Sequence, residues 1–291
     1  MNLFVFGLGF SASAAVAALR EQHGADLAVS GTTRDEQRRS ALRDQGIAAH
    51  LFEGRHVGEE LAADLAAATH VIVSVPPGTE GDPVLALGQK GLDTATNLEW
   101  ICYYSTVGVY GDCGGAWVDE TAPCKPVHPR SQVRVKAEQA WRAYARRRQV
   151  PLAVLRLAGI YGPGRSTFDK LRAGKARRII KPGQVFNRIH VADIGRVTAL
   201  AAESRIDGTF NLADDEPAPP QDLVTFAAGL LGMAPPPKVP FEQADLSEMG
   251  RSFYSSNERI SNAAIKKALG IELLFPSYRE GLGAIFYGER E

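Results

Sequence analysis

Cysteine is scarce in this chain: Cys102, Cys113 and Cys124 are the only three in 291 residues, with no CxxC pair and no clustering with histidine. So small and odd a number argues against a disulfide framework and offers no metal-site spacing. Free thiols in a reducing compartment are the expectation, and with them a cytoplasmic location. Net charge is also missing, because 33 Lys and Arg balance 33 Asp and Glu. Such a balance gives electrostatic support neither to a nucleic-acid partner nor to an anionic membrane. No apolar run approaches the length of a bilayer span. The first residues lead directly into an apolar stretch and a glycine turn, without the basic segment and small-residue cleavage pattern of a secretory signal. There is no internal repeat and no low-complexity tail. The densest basic run, Arg146-Arg147-Arg148, closes a predicted helix, where cations suit the helix dipole. It reads either as a solvated helix end or as a phosphate patch.

What is present is an alternation. Apolar runs of strand length, "NLFVFG", "DLAVSG", "IAAHLF", "HVIVSVPP", "WICYYST" and "PLAVLRL", are separated by helix-like stretches over 11–23, 35–45, 57–67, 83–96 and 131–148. Alternating strand and helix patterns imply βαβ units and a doubly wound parallel sheet. Near-continuous apolar strands fit a sheet covered on both faces. After Gly162 the pattern loosens, and "EPAPP" and "APPPKVP" break it, so the last third reads as a smaller lobe.

Gly7, Gly9 and Ala12 form GxGxxA between the first strand and the first helix. The first glycine permits a tight turn, the second lets the backbone approach a pyrophosphate, and the small third residue lets helix pack on strand. The helix start, Phe10-Ser11-Ala12, then offers its N–H groups to phosphate. An NAD site places an Asp or Glu at the end of the second strand to bond the ribose 2′-hydroxyl. Here the segment is "SGTTRDEQRR". Thr33 and Glu36 fit a capping box with Thr33 as N-cap, which puts Arg34 and Arg38 on one face of the first turns. Both arginines suit a 2′-phosphate, so NADP is favoured, and Asp35 is the residue that argues for NAD.

The segments "FGLGFS", "GTTR", "VIVSVPPG", "YYSTVGVYG", "LRLAGIYGPGR", "RIHVADI" and "GTFNLADDEP" resemble, in this order, those of extended short-chain dehydrogenase/reductases, also called the NAD-dependent epimerase/dehydratase family. The resemblance runs from about residue 2 to residue 283. It implies a Rossmann domain over 1–160 with 186–213, and a substrate lobe over 161–185 with 214–291, with the active site between them. It implies further cofactor contacts from Val75, Pro76, Pro77, Ser105, Gly159 and Ile160, and substrate contacts from Tyr161, Arg165 and Arg188. Thr106, four residues before Tyr110, falls where the family hydrogen-bonds the substrate oxygen; a strand-end hydroxyl bonded to local backbone is the alternative, and the surrounding motif favours the family role. Val107-Gly108 stands where sugar-nucleotide dehydratases carry an Asp-Glu pair, which argues against that chemistry.

The family's proton-transfer pair is YxxxK on the helix after the fifth strand. Anchored on Glu138, the lysine position is Arg134 and the tyrosine position is Arg130. Arginine does not yield its proton at neutral pH, but it still donates charge-assisted hydrogen bonds. Tyr110, Asp112, Cys113 and His190 are the substitutes within the surrounding motifs. Trp141 and Tyr144 on the same helix serve either a homodimer contact of the kind the family makes or simply the core. Two functions stay open. One is an NADP-dependent reductase or epimerase acting on a sugar nucleotide or related carbonyl, with Thr106, Arg130, Arg134 and Tyr110 as the candidate catalytic set. The other is a non-catalytic NADP(H)-binding redox sensor.

Overall fold

The computed structural model describes residues 1–54 and 57–289. The chain begins β1 (Asn2–Phe6), α1 (Phe10–His23), β2 (Ala28–Thr33), α2 (Glu36–Asp44), β3 (Ala48–Leu51), α3 (Glu59–Ala66) and β4 (His70–Val73). It continues β5 (Trp100–Thr106), β6 (Trp117–Val118), α4 (Pro129–Arg148), β7 (Leu152–Leu157), β8 (Gly159–Tyr161), α5 (Thr167–Arg172), β9 (Arg178–Ile180) and β10 (Arg188–His190). The remainder is α6 (Val191–Ser204), β11 (Gly208–Leu212), α7 (Pro220–Leu230), β12 (Lys238–Pro240), α8 (Glu248–Ser252), β13 (Arg259–Ile260), α9 (Ala263–Leu269) and α10 (Tyr278–Gly288). These elements pack as two compact units, one of residues 1–106, 130–156 and 194–210, the other of 107–129, 157–193 and 211–291.

The first unit is built on a seven-stranded sheet in the order β11-β7-β5-β4-β1-β2-β3. The pairs β1–β2, β2–β3, β1–β4 and β4–β5 are all parallel. The order reverses between β1 and β4, and at such a switch point the strand ends open a crevice. On one face Phe4, Phe6, Val71, Val73, Ile101 and Tyr103 pack against Leu61 and Leu65 of α3 and Trp141 of α4. Trp141 is fully buried, stacks on Tyr103 and donates from Nε1 to Asp82 Oδ2 at 3.0 Å, so it belongs to the core. Residues 83–96 do not form the single helix that their pattern suggests. They make two short 3-10 turns, over Leu85–Lys90 and Leu92–Thr94, parted at Gly91, whose φ of −113° and ψ of −128° no helix adopts. The basic end of α4 is tied down: Arg147 and Arg148 both pair with Asp93 at 3.2 Å.

The second unit has its own core, where Phe168 and Leu171 of α5 meet Ala227 and Ala228 of α7 and Leu282, Ile285 and Phe286 of α10. Its strands form three small parallel pairs, β8–β10, β9–β12 and β6–β13.

Within the first unit α6 crosses α1 at Gly195, where an added Cβ would lie 2.6 Å from the Ala14 carbonyl oxygen. Two helices approach this closely only over a residue without a side chain. Gly195→Ala is therefore expected to destabilise the fold by about 1–3 kcal/mol, read as a lower denaturant midpoint at unchanged slope.

Candidate functional site

The glycine turn sits between β1 and α1. Gly7 has φ +87°, and a Cβ there would meet Val75 Cγ1 at 2.9 Å and Val75 N at 3.2 Å. The fold itself therefore demands glycine at this position. Thr32 holds the turn, its Oγ1 accepting from Gly7 N at 2.9 Å and its carbonyl from Leu8 N at 2.8 Å. Gly9 is different. Its φ is −95°, and a Cβ built on it meets no atom within 4 Å. Nothing in the protein requires glycine there; what a side chain would fill is the space before the start of α1. No side chain caps that helix and no acidic residue lies in its first turn, so its positive end is left for an anion. Ser11 and Ala12 are buried beneath this turn and Phe10 is half-buried. These residues fit a dinucleotide pyrophosphate.

At the end of β2 the structure corrects the capping assignment. The strand continues through Thr33, and Asp35 is the N-cap of α2, its carboxylate accepting from Arg38 N at 2.7 Å. Thr33 Oγ1 instead accepts from Asp35 N at 3.2 Å. The helix starts later than the Thr33–Glu36 spacing requires, because the parallel pairing Thr33↔Leu51 keeps the chain extended. Asp35, the residue that argued for NAD, is thus engaged by its own helix. Arg38 reaches across to α1, donating from Nη2 to Ser13 Oγ at 3.1 Å, and Arg34 is exposed beside it. After β4, Val75 and Pro77 are half-buried and Pro76 is exposed.

The end of β5 is clamped by α4. Ser105 Oγ donates to Glu138 Oε1 at 2.6 Å, and Glu138 also accepts from Arg156 at 2.8 and 3.1 Å and from Arg142 at 3.0 Å. Arg134 lies one turn before Glu138. Its Nη1 donates to the Tyr104 carbonyl at 2.5 Å and to Tyr103 Oη at 3.2 Å. Burial pushes the Tyr103 phenol up to about 12, although the Arg134 charge works against this. Arg130 is exposed in the first turn of α4, and Thr106 is half-buried as the last residue of β5.

In the second unit Tyr110 is 1% exposed and donates to Asn211 Oδ1 at 2.8 Å. Gly159 and Ile160 lie in β8 opposite Arg188 and Ile189 of β10. Tyr161 is buried, its ring edge-on to His190, and a Cβ on Gly281 would fall 2.0 Å from its hydroxyl. Arg165 is exposed in a turn that pairs with Gly162. Arg188 is buried and donates from Nη1 to the carbonyls of Phe186 and Ala218. Beside it lies a residue that the sequence reading passed over: Asp214, 1% exposed, with both carboxylate oxygens buried. Burial pushes its carboxyl up to about 8, against the pull of Arg188. His190 is buried with Nε2 unpartnered, and burial lowers the ring to about 4.

Doubly wound sheet, glycine turn and uncapped α1 together define a dinucleotide-binding type of α/β protein. The chain belongs to the NAD dependent epimerase/dehydratase family, which it matches over residues 4–213. It is 45% identical to a conserved protein of unknown function from Silicibacter pomeroyi DSS, over 98% of both chains and with a TM-score of 0.89. It is 31% identical over 138 residues to the 3-diazoavenalumate denitrifying reductase of a Streptomyces species, a match covering 45% of this chain and 45% of that protein. The UDP-glucuronic acid 4-epimerase of Bacillus cereus, solved in complex with NAD, shares the fold at 18% identity, with a TM-score of 0.78 over 99% of this chain and 96% of its own. No helix among the described residues is long and apolar enough to cross a membrane, and no group of three or more His, Cys, Asp or Glu among them could hold a metal ion.

The Asp214 carboxyl carries a pH prediction. Its folded value, about 8, lies above the ordinary value of 3.8, so the native state holds a proton that the unfolded state has released. Its contribution to stability is full below the ordinary value and is lost as pH rises through about 8. Asp214→Asn, which mimics the protonated form, should flatten the fall in melting temperature over that window and leave the alkaline protein no less stable than wild type.

Proposed function

We propose that this chain binds NADP(H) in preference to NAD(H) through its first unit, and acts as a reductase or epimerase on a sugar nucleotide or related carbonyl compound. The observation that carries the reading is the contrast between the two glycines. Gly7 is required by the fold, while a Cβ at Gly9 would meet no atom of the protein and would instead fill the space before α1. The Gly7–Gly9 backbone and the start of α1 would hold the pyrophosphate, and Arg34 and Arg38 the 2′-phosphate. When bound, the nicotinamide supplies or accepts hydride. Thr106 would hydrogen-bond a substrate oxygen. Arg130 stands at the family tyrosine's position, and arginine as a residue type is not a proton donor at neutral pH.

A second reading, a dinucleotide-binding sensor without turnover, is favoured by one observation. Arg134 is committed to the Tyr104 carbonyl and the Tyr103 phenol. A group so placed supports the end of β5 as readily as it supports chemistry.

Calorimetric titration with NADP, NADPH, NAD and NADH tests the first statement. NADP(H) should bind more tightly than NAD(H), and Arg38→Ala should erase the difference. Gly9→Ala should leave thermal stability within about 0.5 kcal/mol yet weaken every dinucleotide by about tenfold or more. Equal affinity for phosphorylated and unphosphorylated forms would refute the NADP preference, and binding of none would end the dinucleotide reading. Turnover of a UDP-sugar or carbonyl with NADPH, lowered in Thr106→Ala, separates the enzyme from the sensor.

A further inference from the structure

The start of α2 carries charged residues whose commitments differ. Asp35 caps the helix and Glu36 opens it, so the dipole at this helix start is already met by carboxylate. An anion arriving beside it must therefore be held by side chains. The arginines of α2 divide accordingly. Arg39 donates from Nη2 to Glu36 Oε1 at 2.5 Å. Arg43 pairs with Glu60 at 3.6 Å and donates from Nε to the Ala49 carbonyl at 3.1 Å. Arg38 is placed differently. Its guanidinium donates from Nη2 to the hydroxyl of Ser13 at 3.1 Å, a neutral partner that cancels none of its charge.

Ser13 belongs to the helix that follows the glycine turn. It closes the first turn of α1, its N–H donating to the Gly9 carbonyl at 2.9 Å. Its hydroxyl therefore stands one turn along from the start of that helix. Arg38 is held at both ends: Asp35 Oδ1 accepts from its backbone N–H at 2.7 Å, and Ser13 Oγ accepts from its guanidinium. With Thr33 Oγ1 accepting from Asp35 N, a chain of contacts runs from the end of β2 through Asp35 and Arg38 to α1. Arg38 is exposed. An exposed arginine samples many rotamers, and fixing it only when a ligand arrives costs affinity. The Ser13 bond restricts the guanidinium beforehand. It draws on Nη2 alone and leaves the rest of the planar fork for a phosphate.

We propose that Ser13 is a specificity-determining positioning residue, which holds Arg38 ready for the 2′-phosphate of NADP(H). It acts through Arg38 rather than on the dinucleotide itself. The proposal rests on the NADP reading above and adds to it that the preference is set from α1 as well as from the end of β2. A competing account makes the same hydrogen bond a simple tie between α1 and α2. The two accounts differ in what the loss of the hydroxyl does. A tie changes stability and treats phosphorylated and unphosphorylated ligands alike. A positioning contact changes only the affinity that depends on the 2′-phosphate.

Calorimetric titration of the full-length protein with two fragments isolates the contact: adenosine 2′,5′-bisphosphate, which carries the 2′-phosphate, and AMP, which lacks it. Wild type should bind the bisphosphate more tightly than AMP. Ser13→Ala should cut bisphosphate affinity about fivefold and leave AMP affinity unchanged. Its melting temperature should hold, since alanine is the best helix former. Ser13→Thr, which keeps the hydroxyl, should retain the wild-type preference. In an Arg38→Ala background Ser13→Ala should change nothing further, because the two side chains act as one unit. A wild-type preference that survives in Ser13→Ala, a loss equal for both fragments, or a further loss on top of Arg38→Ala overturns the Ser13 role and leaves the NADP reading standing. A wild-type protein that binds the bisphosphate no better than AMP overturns both.

Discussion

One buried carboxylate ties α4 to β5 and β7 in the first unit. Glu138, 2% exposed, accepts hydrogen bonds from Ser105 on β5, Arg156 on β7 and Arg142 on its own helix. A buried charge is tolerable only when its lone pairs are used, and removing one partner of such a group typically costs about 3–5 kcal/mol. Here two guanidinium groups and a hydroxyl meet that need. The consequence is positional. With Glu138 pinned between two strands, the rotation of α4 is fixed, and so is the aim of Arg134 one turn earlier. The same contact fixes Ser105, and the peptide that follows carries Thr106.

The crevice at the switch point depends on a second constraint, the division of labour among small residues. Gly7 is spent on the turn and on clearance from Val75. Thr32 closes the turn from the neighbouring strand with both its hydroxyl and its carbonyl. Gly195 lets α6 lie close on α1, which keeps α1 seated on the sheet. Gly9 makes no such close approach: a Cβ there would meet no atom within 4 Å. The start of α1 beside it has no side-chain cap and no acidic residue in its first turn, an arrangement that suits an anion.

Much of this was legible in the sequence, because a parallel sheet advertises itself through local runs and breaks. The apolar strands, the glycine turn and the helix ending in Arg146–Arg148 each occupy a short contiguous stretch. What was not legible depended on pairing between distant stretches. Thr33 looked like a helix cap until the pairing of β2 with β3 carried the strand through it. Residues 83–96 had helical composition, but Asp82 turns towards Trp141 and caps Val84 N, and Gly91 breaks the run. Tyr161 and Arg188 were assigned to a ligand from their place in a motif. The structure puts both inside the second unit, because β8 pairs with β10 and α10 covers Tyr161. Asp214 gave no signal, since an aspartate in "LADDEP" looks like any other loop acid until its burial is known.

Where proton chemistry can reside follows from these burials. The phenols nearest the family's catalytic segment are poor proton relays. Tyr103 is pushed to about 12, Tyr104 well above its ordinary value, and Tyr110 is closed off against Asn211. The groups whose titration burial moves close to neutrality are two carboxyls of the second unit, Glu258 at about 7 and Asp214 at about 8. They differ in company. Asp214 lies beside the buried Arg188, a pairing that suits a structural counter-charge, whereas burial and the Asp112 charge raise Glu258 against a hydrogen bond with the Ser256 side chain.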